Sequence, residues 1–276
     1  MFMRKESIIF WSLFSLMFFW GCNSVTSDPN TIDNTPVLEV DRLEPPCWWV
    51  GMEQTELQLL VKSDSIIKYS PSINHKGIEL VDFHKGESPN YLFLNIKINT
   101  SISGRFDVML TNNEAQFKLS YELKYREQSQ QYYKGFDSSD AIYLITPDRF
   151  ANGDASNDII DTLKETDLDR SKTYSRHGGD IKGIINHLDY IKAMGFTAIW
   201  SSPLLTNDMY RWSYHGYAMT DFYEVDPRFG YLDDYKTLSR EARSRGIKLI
   251  MDQVANHCGL EHWWMKDLPF QDWVNY

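Results

Sequence analysis

Between residues 37 and about 126, apolar and polar positions alternate in short runs. Residues 57–61, 91–98 and 117–121 each read as a half-buried strand, with one face to a core and one to water. Gly77, Gly86, Pro89-Asn90, Gly104 and Asn112-Asn113 punctuate them as turns. No useful length of this region keeps a helical period, which predicts an all-β, immunoglobulin-like sandwich. From Ala141 the pattern changes. Residues 141–146 form a first apolar strand, and Ile184, Ile185, Leu188, Ile191 and Met194 recur at helical spacing over 181–194 until Gly195 stops them. Residues 196–201 read as a second strand, residues 232–245 as a second amphipathic helix ended by Gly246, and residues 247–254 as a third strand. Strand–helix–strand twice over predicts parallel pairing in an α/β core.

The third strand opens with Ile247, Leu249, Ile250 and Met251, which reads as burial on both faces. At its far end come Asp252, Asn256 and His257, polar groups where an apolar strand would simply stop. Ligands bind at the carboxyl ends of parallel strands in such folds. Two readings of Asp252 and Asn256 stay open here: the rim of a ligand site, or braces for the departing loop.

The start of the chain is different again. Arg4 and Lys5 precede a nearly continuous apolar run over residues 8–20, too short to cross a bilayer comfortably, which reads as a secretory signal. Phe19-Trp20-Gly21-Cys22 resembles a bacterial lipoprotein cleavage box, making Cys22 the expected lipidation site; plain export with cleavage nearby is the other reading. The expected divisions are a signal peptide over 1–22, a polar tether over 23–36, the sandwich over 37–127 and the α/β part over 128–276. The expected location is outside the cytoplasm, in the periplasm or at the outer membrane of a bacterium.

Composition narrows the ligand. A net charge of −10 argues against a nucleic-acid backbone and leaves a neutral substrate or a bound cation. Nine Trp and sixteen Tyr tilt the reading towards carbohydrate, because flat aromatic faces suit sugar rings as well as cores. The odd number of cysteines (Cys22, Cys47 and Cys258) gives no disulfide framework, and Cys47 and Cys258 read as separate buried thiols unless they prove close.

Three clusters carry candidate chemistry. Asn152, Asp154, Asn157 and Asp158 place four oxygen-bearing side chains within seven residues, with Gly153 allowing a tight bend, as a hard cation such as Ca2+ requires. Asp180, after Gly178-Gly179, completes such a shell together with one glycine carbonyl; an Asx-rich surface turn is the alternative. Tyr214-His215-Gly216-Tyr217 follows the second strand, with His215 and Tyr217 offering a donor and a flat ring. Tyr210 and Trp212, just before it, read as aromatics packing a long loop.

Together these motifs resemble the α-amylase family of glycoside hydrolases, within it the neopullulanase and cyclomaltodextrinase branch. Ile142-Tyr143 through Thr146-Pro147-Asp148-Arg149-Phe150-Ala151-Asn152-Gly153-Asp154 is similar to that branch's opening strand and calcium loop. His177-Gly178-Gly179-Asp180 is similar to its second calcium segment, and Tyr214-His215-Gly216-Tyr217 to its first sugar platform. Residues 252–257 match the pattern D-x-V-x-N-H, and Glu44-Pro45-Pro46, Trp48-Trp49 and Gly51-Met52 resemble the start of the preceding β-sandwich. Leu144, Thr146 and Gln253 depart from the family's usual residues but remove no named ligand.

The resemblance implies the first three β/α units of a TIM-type (β/α)8 barrel behind a β-sandwich. It implies Ca2+ at Asn152, Asp154, Asn157, Asp158, Gly178 and Asp180, with Tyr217 stacked on the sugar and His215 and His257 bonded to its hydroxyls. Asp252 and Asn256 would orient the site. The expected activity is retaining cleavage of pullulan, cyclodextrins or starch oligomers by an exported α-glucan hydrolase. The family's nucleophile and acid/base come from later strands, so the resemblance implies that this chain holds no catalytic residue, is truncated and is inactive alone. An uncovered inner face at Ile142, Ile199 and Ile250 is expected with it. The alternative is a lipid-anchored starch-binding lipoprotein without catalysis. A homodimer through the amino-terminal domain is implied by resemblance only.

Overall fold

The structure is a computed structural model that describes residues 35–126 and 135–275. The leader, Cys22 and nearly all of the tether lie outside the described residues, as does the expected boundary at 127/128. Alternation shapes the first part. The strands are β1 (Arg42–Glu44), β2 (Trp48–Trp49), β3 (Glu56–Lys62), β4 (Ser70–Ile73), β5 (Ile78–Lys85), β6 (Tyr91–Ile98), β7 (Gly104–Thr111) and β8 (Gln116–Lys124). They form two sheets, ordered β1-β3-β6-β5 and β2-β8-β7-β4. Leu59, Val61, Leu94 and Ile96 of the first meet Phe106, Val108, Leu110 and Leu119 of the second in one apolar core.

Several strands escape a reading by alternation alone. Pro71 sits in β4, which is tolerated because β4 is an edge strand. A register shift between Leu80 and Asp82 breaks the alternation of β5. Gly104, read above as a turn, begins β7. β6 is not half-buried but covered on both faces. Its outward side chains Tyr91 and Phe93, with Leu60, pack against Trp263, Phe270 and Trp273 from the far end of the chain.

The second part contains β9 (Ile142–Ile145), α1 (Pro147–Phe150), α2 (Ile181–Asn186), α3 (Leu188–Ala193), β10 (Ala198–Ser201), α4 (Leu232–Ser244) and β11 (Lys248–Met251). β9, β10 and β11 are parallel, with β10 central. The helix expected over 181–194 is two helices. The His187 ring Nδ1 lies 2.8 Å from the Gly183 carbonyl, and the His187 N–H turns back to Ile184, so the regular ladder breaks there.

Tyr143, Ile145, Ile199 and Leu249 face the helices and share a core with Ile184, Leu188 and Leu238. The opposite face carries Ile142, Leu144, Trp200 and Ile250, with Leu144 61% and Trp200 40% exposed. Two expectations are thereby corrected. Ile199 belongs to the covered face, and Trp200 takes the place assigned to it, because neighbouring strand residues point to opposite sides. β11 is only partly covered and its Met251 is exposed, so it is not buried on both faces.

From Thr35 onward the chain forms one compact unit. Asp267 accepts from Ser88 Oγ at 2.7 Å, from Asn90 Nδ2 at 2.9 Å and, through its carbonyl, from the Tyr91 hydroxyl. Arg42 pairs with Asp221 across the same junction. Cys47 and Cys258 are both free thiols, and both are partly exposed rather than buried.

Candidate functional site

Asp252 follows the last residue of β11 and gathers the site. Its Oδ2 accepts from Trp200 Nε1 at 3.0 Å and from the Tyr217 hydroxyl at 2.9 Å. Burial, and then the Asp252 carboxylate, raise the Tyr217 pKa, which keeps the phenol protonated and donating. His257 Nε2 lies 2.9 Å from the Tyr217 carbonyl, and its Nδ1 lies 3.2 Å from Asn256 Nδ2. Both ring nitrogens of His257 therefore have protein partners, and the ring holds the Tyr217 backbone.

His215 is engaged through one ring nitrogen. Its Nδ1 accepts from the Tyr217 N–H at 2.9 Å, and its ring stacks on Tyr217 at 5.8 Å between centroids. Burial, reinforced by the Arg176 charge, lowers its pKa and keeps it neutral. With Nδ1 accepting, the proton sits on Nε2, which becomes a donor. Gly216 makes this turn possible. Its φ is +83°, and a Cβ there would lie 2.1 Å from the Pro203 carbonyl oxygen. The structure thus brings together His215, Tyr217, Asp252, Asn256 and His257. Trp200 joins them and was read above only as part of a strand. Its signal was its place near the carboxyl end, one position out of phase with Ile199.

Beneath this loop lies a buried ionic network that the sequence reading missed. Arg228 grips both oxygens of Asp226, at 2.9 and 2.8 Å. Arg176 lies 3.8 Å from Asp226 and 3.5 Å from Glu165, and donates to Ser213 Oγ at 2.8 Å. Glu165 in turn accepts from the backbone N–H of Trp212 at 2.5 Å and of Ser213 at 3.0 Å. Burial opposes ionisation of Asp226, but Arg228 and Arg176 outweigh it and hold its pKa below the ordinary value. These charges show no periodicity along the chain, so only their pairing reveals them.

Asn152, Asp154, Asn157, Asp158, Gly178 and Asp180 also meet. Asn152 Nδ2 lies 2.6 Å from Asp158 Oδ1. Asp180, fully buried, caps α2 by accepting from Gly183 N at 2.5 Å and also accepts from Gly153 N and Asp154 N. Asp154 accepts from Ser156 N at 3.0 Å. Among the described residues no group of three or more His, Cys, Asp or Glu is placed to hold a metal, so amide and carbonyl oxygens would have to contribute. Two observations fit a hard cation. Asn157 Oδ1 is buried without a hydrogen-bond partner, and a Cβ on Gly178 would lie 2.4 Å from Asp158 Oδ1, so the cradle requires glycine.

Comparison with known proteins agrees with this layout. Residues 144–272 match the family model for the α-amylase catalytic domain, and residues 42–127 that for the cyclomaltodextrinase N-terminal domain. Neopullulanase 2 of Thermoactinomyces vulgaris is 38% identical over 139 residues, 48% of this chain and 23% of that protein. Cyclomaltodextrinase of Thermoanaerobacter pseudethanolicus is 36% identical over 141 residues, 49% of this chain and 24% of that protein. The crystal structure of an Anoxybacillus α-amylase is 45% identical over 50% of this chain and 28% of that one, with a TM-score of 0.45. The chain spans about a quarter of the length of these curated relatives. Over residues 42–127 and 144–272 the chain is thus similar to the α-amylase family of glycoside hydrolases, first to a cyclomaltodextrinase N-terminal domain and then to part of an α-amylase catalytic domain.

Proposed function

We propose that the described residues form the substrate-binding front of an α-glucan site, in an enzyme that cleaves pullulan, cyclodextrins or starch oligomers with retention. One observation carries this reading: Tyr217 and Trp200, both exposed aromatics, are tied to the single carboxylate of Asp252 at the carboxyl end of β11. A ring held this way offers a flat apolar face to a glucose ring, while His215 Nε2–H donates to a hydroxyl. Asp252, Asn256 and His257 orient these groups. Retention needs two carboxyl groups about 5 Å apart, and this reading assigns neither role to Asp252, whose Oδ2 is already engaged by two donors. The fold reading that accompanies it is an immunoglobulin-like sandwich followed by the first three β/α units of a TIM-type barrel.

Titration of the purified chain with maltoheptaose in a calorimeter tests the reading. The chain is expected to bind without releasing maltose from pullulan, and Tyr217→Ala to weaken binding about tenfold, as loss of a stacking ring would. Equal affinity in Tyr217→Ala would remove that ring from the site.

Ca2+ belongs to the same reading. Asn152, Asn157, Asp158 and the Gly178 carbonyl would hold it, with Asp154 and Asp180 alongside, and its positive charge would offset the crowded carboxylates. Chelation is then expected to lower the melting temperature and added Ca2+ to restore it; an indifferent melting curve argues against the ion. Export, with Cys22 acylated and the protein at a bacterial membrane, is proposed from the leader, and fatty-acid labelling lost in Cys22→Ala is its test. A homodimer through the amino-terminal domain is proposed too, and sedimentation as a monomer would exclude it.

A further inference from the structure

We propose that the cavity between the loop of residues 164–175 and Tyr210-Arg211-Trp212 is a second glucan-binding surface, which takes a neutral α-glucan segment against the rings of Tyr174, Tyr210 and Trp212. It is open, with a volume of about 730 Å3, within the range of small-ligand sites. Its three rings are the unusual feature, exposed by 63%, 69% and 49% in that order. Tyr174 and Trp212 lie 5.9 Å apart between centroids, so they form a continuous wall. Trp212 is held at φ +61°, a left-handed conformation that a bulky residue rarely adopts. It stays there because the carboxylate of Glu165, itself buried and beside Arg176, accepts from its N–H and from the next one. Backbone strain over-determined by a buried network is a mark of ligand clamps. Here the clamp holds an indole ring that stays half exposed beside Tyr174.

The charges around the cavity indicate a neutral ligand. Lys164 is paired with Asp208 at 2.7 Å and lies 3.7 Å from Glu261. Lys172 lies 3.3 Å from Asp169, and the Arg211 guanidinium lies over the Trp212 ring at 4.3 Å. Each cation already has a partner, so an anion would find no unmatched charge. Hydroxyl groups, by contrast, can share these side chains as donors and acceptors while a pyranose face lies on the rings. The wall also leads into the turn that carries His215 and Tyr217, because Trp212 immediately precedes Ser213 of that turn. This inference goes beyond the Asp252 cluster and rests on the reading above only for α-glucan as the ligand.

The test compares maltose with maltoheptaose by calorimetry on the full chain and on its Trp212→Ala, Tyr174→Ala and Tyr217→Ala variants. The parent chain is expected to bind maltoheptaose about tenfold more tightly than maltose. Trp212→Ala and Tyr174→Ala should abolish that length advantage while leaving maltose affinity unchanged, whereas Tyr217→Ala should weaken both ligands. If the length advantage survives in both Trp212→Ala and Tyr174→Ala, the cavity is not a sugar site, and the Tyr217 reading stands untouched. If Tyr217→Ala is silent but Trp212→Ala is not, the cavity proposal holds and the Asp252 cluster loses its role. A parent chain that binds neither sugar overturns both. Tyr174 is largely exposed, so its variant decides the matter should Trp212→Ala fail to fold.

Discussion

Replacing Asp226 with alanine is expected to destabilise the protein by about 3–5 kcal/mol, the usual result of removing one partner from a buried ion pair. Asp226 and Arg228 are fully buried, and Arg176 nearly so. The Asp226 carboxylate receives both guanidinium contacts of Arg228 and the backbone N–H groups of Asn207 and Arg228. Alanine leaves two guanidinium groups in the interior, with Glu165 and Asp148 as the carboxylates left to act on Arg176 and, among the described residues, no side-chain carboxylate bonded to Arg228. For a chain of this size the loss corresponds to a fall in melting temperature on the order of 10 °C, readable by differential scanning calorimetry. Asp226→Asn separates charge from shape: it keeps two oxygen- and nitrogen-bearing branches but not the negative charge, and is also expected to lower the melting temperature. A loss below about 1 kcal/mol in both variants would mean that water reaches the network and that burial is not what makes it costly. Because Glu165 and Arg176 hold the backbone of Trp212 and Ser213, the Asp226 variants should also loosen the turn bearing His215 and Tyr217.

Gly216→Ala should be comparably damaging but local. Two costs add at this position. A left-handed φ costs an L-residue roughly 1–2 kcal/mol, and a Cβ at 2.1 Å from the Pro203 oxygen cannot be accommodated without moving backbone, which typically costs ~1–3 kcal/mol more. The neighbour is a carbonyl leaving β10 and not the end of a flexible side chain, so relief requires displacing the strand terminus or the turn. Displacing the turn moves His215 and Tyr217 away from Asp252. The variant is therefore expected to lose maltoheptaose binding along with roughly 2–5 kcal/mol of stability in a urea titration. Normal stability with normal binding would show that the turn has another accessible conformation.

The two variants share a lesson about legibility. Gly216 announces itself in the sequence, between His215 and Tyr217 after an apolar strand. Asp226 does not, because nothing in its neighbours' spacing says that it will be buried or which arginines it will meet. The same contrast runs through the site. Asp252, Asn256 and His257 were visible as polar groups at a strand's carboxyl end, and Tyr217 as a ring in a glycine-bearing turn. That His257 would have both ring nitrogens occupied, with His215 left as the donor, depends on contacts 40 residues apart in the chain. Trp200 was hidden by a one-residue phase, since the inward face was assigned to Ile199.

By itself, the sequence determined the order of elements, the change from alternation to strand–helix repetition near residue 141, and which motifs carry polar chemistry. These follow from local periodicity and from residue types with strong conformational preferences, which act over a few positions. The tertiary structure alone decided which face of the parallel sheet is covered, that Trp263, Phe270 and Trp273 close the outer side of β6, and that Glu165, Arg176, Asp226 and Arg228 form one buried network. Those outcomes depend on pairings across tens to more than a hundred residues. Burial and charge compensation are properties of the packed arrangement, and no window along the chain contains them.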